Sequence, residues 1–237
     1  MTDNKNIIDG SGAMFDKIAP KYDLLNMLTS LGQDRKWRKE AVKAIAAEKG
    51  RVLDLAAGTC DVSIKIALTY SNIKVIAADP SINMLKEGKK KIDLQKLNSK
   101  IAPCLVAGEM LPFVDESFDA ATIAFGIRNF QNRTASLFEI YRILKKESRL
   151  VILELGTPQK GLMGKLASFY STVFIPFIGG LISNKEQYTY LPRSMQQFPL
   201  PDRFSKELET AGFKIINIQS FAFGICTLFV CKKASLI

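Results

Sequence analysis

Short apolar runs recur along the chain at residues 52–55, 73–78, 101–106, 120–125, 150–155, 215–219 and 227–231. In the first part of the chain they alternate with longer stretches whose apolar residues repeat at helical spacing. Such alternation demands crossover connections, and these build a parallel sheet covered by helices on both faces. Only a short connection around Ser220 to Gly224 separates the last two runs, too short for a crossover, so that pair runs antiparallel. The expected fold is therefore α/β, a doubly wound, mostly parallel sheet of seven strands with one antiparallel strand.

Local signals fit this frame. Ser81, after Pro80 and ahead of Ile82, Met84 and Leu85, stands at a helix N-cap. Pro201-Asp202 opens a helix through Phe204 and Leu208 that stops at Gly212. The alternation breaks at residues 158–192, an aromatic and apolar insert after the fifth strand, placed to form a lid over a pocket. It approaches the length that spans a bilayer, but Lys165, Pro176 and Gly179-Gly180 interrupt it, so a lid of short elements is expected.

At 237 residues the chain is read as one domain, with a polar, aperiodic arm at residues 1–12 that lacks the features of a signal peptide. The four cysteines form no C-x-x-C pair and the chain has no histidine, so no metal site and no disulfide is expected, in keeping with the cytoplasm. The net charge of +10 draws on a lysine-rich amphipathic stretch, Lys86, Lys89, Lys90, Lys91, Lys96 and Lys100. No aromatic platform of the kind that stacks on bases accompanies it, so a solvated face or weak attraction to an anionic membrane fits better than nucleic acid.

The chemistry gathers around the first strand. Arg51-Val52-Leu53-Asp54-Leu55-Ala56-Ala57-Gly58-Thr59-Cys60-Asp61 places a turn of small residues after it, and Val75-Ile76-Ala77-Ala78-Asp79 places an acid at the end of the second. In a parallel sheet these ends lie side by side, giving backbone contact to a ligand and a carboxylate for a ribose diol. One glycine stands where a dinucleotide fingerprint needs three, so a pyrophosphate has no clear seat.

This order of residues resembles the S-adenosylmethionine-dependent methyltransferases. Further along, Ala107-Gly108-Glu109-Met110-Leu111-Pro112-Phe113, Phe125-Gly126-Ile127-Arg128-Asn129 and Tyr141-Arg142-Ile143-Leu144-Lys145 resemble the quinone-biosynthesis C-methyltransferases. The resemblance extends from Met14-Phe15-Asp16 and Tyr22-Asp23-Leu24-Leu25-Asn26 to Ala211-Gly212-Phe213. It implies methyl transfer from S-adenosylmethionine to a ring carbon of a lipid-soluble prenylated quinol, demethylmenaquinol first and a polyprenyl benzoquinol second. Departures are Ala57 and Cys60, where the family has Gly, Ala107-Gly108 for Asn-Ala, and Lys146-Glu147-Ser148 for Pro-Gly-Gly. Each added Cβ in the turn narrows the approach of a ligand to the backbone.

On this reading Asp79 takes the ribose hydroxyls, and Asp54, Gly58, Thr59, Ala107, Gly108 and Ala124 complete the cofactor site. Methyl transfer to carbon needs an acceptor made nucleophilic by loss of a phenolic proton, from a pKa near 10. A guanidinium about 4 Å away contributes about 4 kcal/mol at an effective dielectric near 20, roughly three pK units. Arg128 is the candidate, Asn129 orients a water beside it, and Glu109 and Tyr22 are the weaker candidates for proton acceptor. The competing classes are a nicotinamide dehydrogenase, disfavoured by the missing glycines, an RNA methyltransferase, and a cofactor-binding subunit without catalysis. Oligomeric state is not legible.

Overall fold

A computed structural model describes residues 12–156, 191 and 193–234. The arm, but for Gly12, and the insert, but for Leu191, lie outside the described residues. Three helices come first: α1 (Gly12–Ile18), α2 (Tyr22–Thr29) and α3 (Asp34–Ala44). The core follows as β1 (Lys49–Leu55), α4 (Asp61–Thr69), β2 (Asn72–Asp79), α5 (Ile82–Leu94), β3 (Ile101–Leu105), β4 (Phe118–Ala124), α6 (Arg133–Ile143) and β5 (Leu144–Leu155). The chain ends with α7 (Pro201–Thr210), β6 (Phe213–Phe221) and β7 (Cys226–Lys233).

The strands form one sheet in the order β3-β2-β1-β4-β5-β7-β6, with β7 antiparallel to both neighbours and every other pairing parallel. This is the expected seven-stranded sheet with one reversed strand. Successive strands run outward from β1 in one direction, then from β4 in the other. The crevice where the order reverses is where α/β sheets take ligands. The register levels the strand ends there, with Leu55 beside Ala78 on one side and Ile123 on the other.

Each sheet face carries its own core. Trp37 and Val42 of α3 with Ile45 just past its end, Ile64 and Ile66 of α4, and Leu85 and Ile92 of α5 cover one face. Leu137 and Ile140 of α6 with Phe204 and Leu208 of α7 cover the other. The capping signals work as read: Ser81 Oγ accepts the Met84 N–H at 3.1 Å, Pro201 opens α7, and Gly212 leaves it at φ +95°. A Cβ on Gly212 would lie 2.7 Å from the Tyr141 ring, so only glycine fits that helix exit.

Two details differ from the sequence reading. β5 begins at Leu144 rather than 150, because α6 passes directly into the strand and pairs Leu144 with Phe118 before the register shifts. Within that stretch Glu147 adopts φ +61°, a left-handed conformation where the family pattern has glycine. The lysine-rich stretch is also not uniformly a solvated face. Lys90 pairs with Glu87 at the surface, but Lys91 reaches Asp23 and Asp61 at 2.6 and 2.5 Å, and Lys100 donates to Ala67 O at 2.9 Å. None of the helices among the described residues is long and apolar enough to cross a membrane.

Candidate active site

The turn between β1 and α4 alternates hand. Ala56, Gly58 and Cys60 all have positive φ, at 57°, 53° and 63°, with Ala57 and Thr59 between them. Left-handed backbone costs a residue with a Cβ about 1–2 kcal/mol, and here two of the three carry one. The turn is held from outside: the Ala57 N–H donates to Ala78 O at 3.0 Å and the Gly58 N–H to Asp79 Oδ2 at 2.8 Å. The other Asp79 oxygen accepts the Ser81 N–H at 2.8 Å. Asp79 therefore joins the turn to the start of α5 while standing at the cleft.

The cleft has two halves. One is lined by Tyr22, Gly58, Asp79, Met84, Asn129 and Phe130, the other by Tyr22, Arg38, Asp54, Gly58, Thr59 and Ala124. Burial pushes Asp79 up to about 6 and Asp54 up to about 7, although Ser63 Oγ donates to Asp54 at 2.5 Å. For both carboxylates the loss of water on burial outweighs the hydrogen bonds they accept.

A charged network closes the second half. Thr59 Oγ1 donates to Asp23 at 2.6 Å, Lys91 donates to Thr59 at 2.9 Å, and Arg38 pairs with Asp61 at 2.6 Å and Asp34 at 3.1 Å. Arg38 is buried and its Nε has no hydrogen-bond partner. An unmet Nε on a buried, ion-paired arginine beside two buried acids fits a small zwitterion, and the methionine end of S-adenosylmethionine is one. At Gly58 only Tyr22 lies within 4 Å of where a Cβ would stand, so that backbone is open to a ligand.

Beyond the cleft lies a mainly apolar cavity of about 240 Å³, with Asn26, Asp34, Trp37, Arg128, Met195 and Phe223 on its walls. Phe125 lines both this cavity and the cleft. It leaves β4 at φ +61° and Trp37 packs edge-on against it, ring centroids 6.5 Å apart. Gly126 follows because a Cβ there would collide with the Cβ of Ala56.

Arg128 is placed by the short 3-10 turn Ile127–Asn129. Its Nη1 donates to Glu154 Oε1 at 2.5 Å and to Phe125 O at 2.6 Å, and its Nε donates to Ser194 Oγ at 3.3 Å. Glu154 also accepts the backbone N–H of Arg128 at 3.1 Å and of Leu155 at 2.7 Å.

The sequence-selected residues divide accordingly. Asp54, Gly58, Thr59, Asp79, Ala124, Tyr22 and Asn129 meet at the cleft, and Arg128 stands on the cavity wall. Ala107, Gly108 and Glu109 line none of these spaces. Gly108 packs under Phe130, where a Cβ would stand 2.8 Å from the ring, and Glu109 accepts the Gln131 N–H at 3.1 Å ahead of α6. Sequence reasoning did not single out Arg38, Trp37 or Asn26. Their signal was present only in α3 and in the Tyr22–Asn26 motif, which have no chemistry until folded against the cleft.

The sheet order, the reversed seventh strand and a cleft at the β1/β4 switch point with an acid ending β2 make up the fold of the S-adenosylmethionine-dependent methyltransferases. Solved structures share this fold at low identity. They include a [4+2]-cyclase, SpnF (TM-score 0.72, 16% identity, 94% of this chain and 96% of that one), and a putative S-adenosyl-L-methionine-dependent methyltransferase of Methanococcus maripaludis (TM-score 0.68, 18% identity, 100% and 99%). The chain belongs to the ubiE/COQ5 methyltransferase family, whose description matches residues 2–233. It is 45% identical over 226 residues to a ubiquinone/menaquinone biosynthesis C-methyltransferase UbiE of Geotalea uraniireducens, covering 93% of this chain and 94% of the relative. It is 38% identical over 222 residues to a demethylmenaquinone methyltransferase of Bacteroides fragilis, covering 93% and 91%.

Proposed function

We propose that this methyltransferase methylates a ring carbon of a prenylated quinol, demethylmenaquinol in the first place and a polyprenyl benzoquinol in the second. The observation that carries this reading is the apolar cavity that shares Phe125 as a wall with the cofactor cleft, with Arg128 and Asp34 among its few charged lining residues. An apolar cavity with a few convergent polar groups suits a flat, weakly polar ring. Leu31 and Phe223, exposed yet also lining the cavity, offer a passage for a prenyl tail. The names of the two relatives support both acceptor classes.

S-adenosylmethionine supplies an electrophilic methyl group on a sulfonium. On this reading Asp79 accepts the ribose hydroxyls, Asp54 faces the amino group, Arg38 the carboxylate, and Gly58 gives backbone access. Thr59, Ala124 and Tyr22 shape the cleft, while Ala107, Gly108 and Phe130 support the adenine side. Holding donor and acceptor in line accounts for most of the catalysis such a transfer needs.

Arg128 meets the acceptor as half of an ion pair, so the full-charge figure of about 4 kcal/mol is an upper bound for its effect on a phenol. Its contribution is a directed N–H beside the ring oxygen, with Asn129, the next residue, lining the cofactor cleft. Tyr22 and Glu109 are not cavity residues; Asp34, which accepts Ser30 Oγ at 2.9 Å and pairs with Arg38, is the carboxylate among the described residues that lines it. Asp34 or a water it holds is therefore the better proton acceptor.

The test is methyl transfer by the purified chain from methyl-labelled S-adenosylmethionine to short-chain demethylmenaquinol and benzoquinol under reducing conditions, read by mass spectrometry. Label in neither quinol overturns the proposal; the ratio of kcat/KM values assigns the acceptor.

A further inference from the structure

Asn26 closes the motif Tyr22-Asp23-Leu24-Leu25-Asn26, and neither the fold nor the cofactor cleft uses its side chain. Its Nδ2 is buried and makes no hydrogen bond, yet the residue lines the apolar cavity together with Trp37 and Arg128. Folded proteins pair such donors almost without exception, because an unmet buried amide costs the full loss of hydration. Neither hydroxyl on the same wall accepts from it; Thr29 Oγ1 is turned to Leu25 O at 2.7 Å and Ser30 Oγ to Asp34 Oδ1 at 2.9 Å.

The helix explains the position. Tyr22 lines the cofactor cleft and Asp23 accepts from Thr59 at its edge. Asn26 lies three and four residues further on, hence on the same side of α2 one turn along, where the cofactor cleft gives way to the cavity. One helix therefore serves both sites. The terminal torsion of an asparagine is soft, so the amide can turn to a ligand that enters.

We infer that the Asn26 carboxamide donates a hydrogen bond to a ring oxygen of the acceptor and so sets which ring carbon faces the methyl donor. This rests on the reading that the cavity holds a quinol. An apolar hydrocarbon of the same shape leaves the donor unmet, whereas an oxygenated ring satisfies it, so Asn26 selects for oxygen at one ring position.

Trp37, the single tryptophan of the chain, lines the cavity and reports its occupancy by fluorescence. The probes are tailless 1,4-naphthoquinone and naphthalene, titrated into wild type and Asn26→Leu. The expected result is a loss of about tenfold in quinone affinity in Asn26→Leu, on the scale of one hydrogen bond, with naphthalene affinity and calorimetric S-adenosylmethionine affinity unchanged. The unchanged cofactor affinity shows that the variant is folded. In turnover, the same variant raises KM for the quinol and, on a benzoquinol with two open ring carbons, divides the methyl group between them. Equal quinone affinity in both proteins overturns the role of Asn26 and leaves the quinol reading standing. Asn26-dependent quinone binding without methyl transfer to any quinol overturns the quinol reading and leaves the oxygen-binding site standing.

Discussion

Arg128 and Glu154 form a buried ion pair at 2.5 Å, their side chains 7% and 0% exposed, across the ends of β4 and β5 beside the proposed acceptor cavity. The pair fixes the 3-10 turn that carries Arg128, since Glu154 holds its backbone as well as its guanidinium. It also decides what the acceptor meets: a donor of fixed direction rather than a free charge. Burial of both partners makes the pair intolerant of losing either one.

Glu154→Ala is expected to destabilise the protein by about 3–5 kcal/mol, the cost of leaving one buried charge without its partner. Arg128→Lys keeps a charge but loses the planar fork that reaches Glu154 and Ser194 together, so turnover falls while cofactor affinity is kept. Urea unfolding and steady-state kinetics check the two. Stability unchanged in Glu154→Ala contradicts the buried pair; full turnover in Arg128→Lys removes the fork from the mechanism.

Asp79→Asn is expected to weaken S-adenosylmethionine binding by about 1.5–3 kcal/mol, the scale of hydrogen bonds to a charged group. The ligand-free protein keeps its fold, because an amide oxygen still accepts one of the two N–H groups that Asp79 holds, from Gly58 and Ser81. Calorimetric titration measures the first effect and thermal unfolding the second. A dissociation constant equal to wild type reduces Asp79 to a joint between the turn and α5.

The pH dependence follows from Asp54 and Asp79, whose folded pKa values of about 7 and about 6 lie above the ordinary 3.8 because both are buried. Between about pH 4 and 7 the folded state binds more protons than the unfolded one, so the part of stability owed to these groups falls as pH rises through that window. Binding of a sulfonium and an ammonium favours the ionised acids, so cofactor affinity is expected to fall as pH drops below about 7. Thermal midpoints and cofactor dissociation constants from pH 5 to 8 test both signs. The ligand-free protein of Asp54→Asn should lose part of the stability slope.

Gly88, buried in the middle of α5, stands against Cys60: a Cβ there would collide with the Cys60 thiol and lie 3.1 Å from the Thr59 carbonyl carbon. Gly88→Ala is expected to destabilise by about 1–3 kcal/mol through overpacking, despite the better helix propensity of alanine. Cys60→Gly relieves a left-handed cysteine and loses a packed thiol, effects of opposite sign that leave it near neutral. The double variant should recover part of the Gly88→Ala loss, read as a coupling energy from denaturant midpoints. Strict additivity would show that the thiol does not fill that space.

The alternation of apolar runs by itself determined the sheet: seven strands near their expected places, crossovers that make most pairings parallel, and a reversed last strand enforced by a connection too short for a crossover. Short-range chemistry was equally legible, as the Ser81 cap, the Pro201 helix start and the Gly212 exit show, because each depends on a few neighbouring residues. The acid-and-turn half of the cleft followed from the same frame, since strand order alone brings Gly58 and Asp79 together. Only the tertiary structure decided that Glu154 neutralises Arg128, that Glu109 holds the start of α6, and that Tyr22 lines the cleft beside Gly58. It alone joined Asn26, Trp37 and Phe125 around one cavity and turned Lys91 from a surface charge into a tie across three elements. These relationships mostly link residues more than 20 positions apart in the chain, Asn26 and Phe125 as many as 99, and no periodicity specifies which side chains meet when separate helices close over a sheet edge.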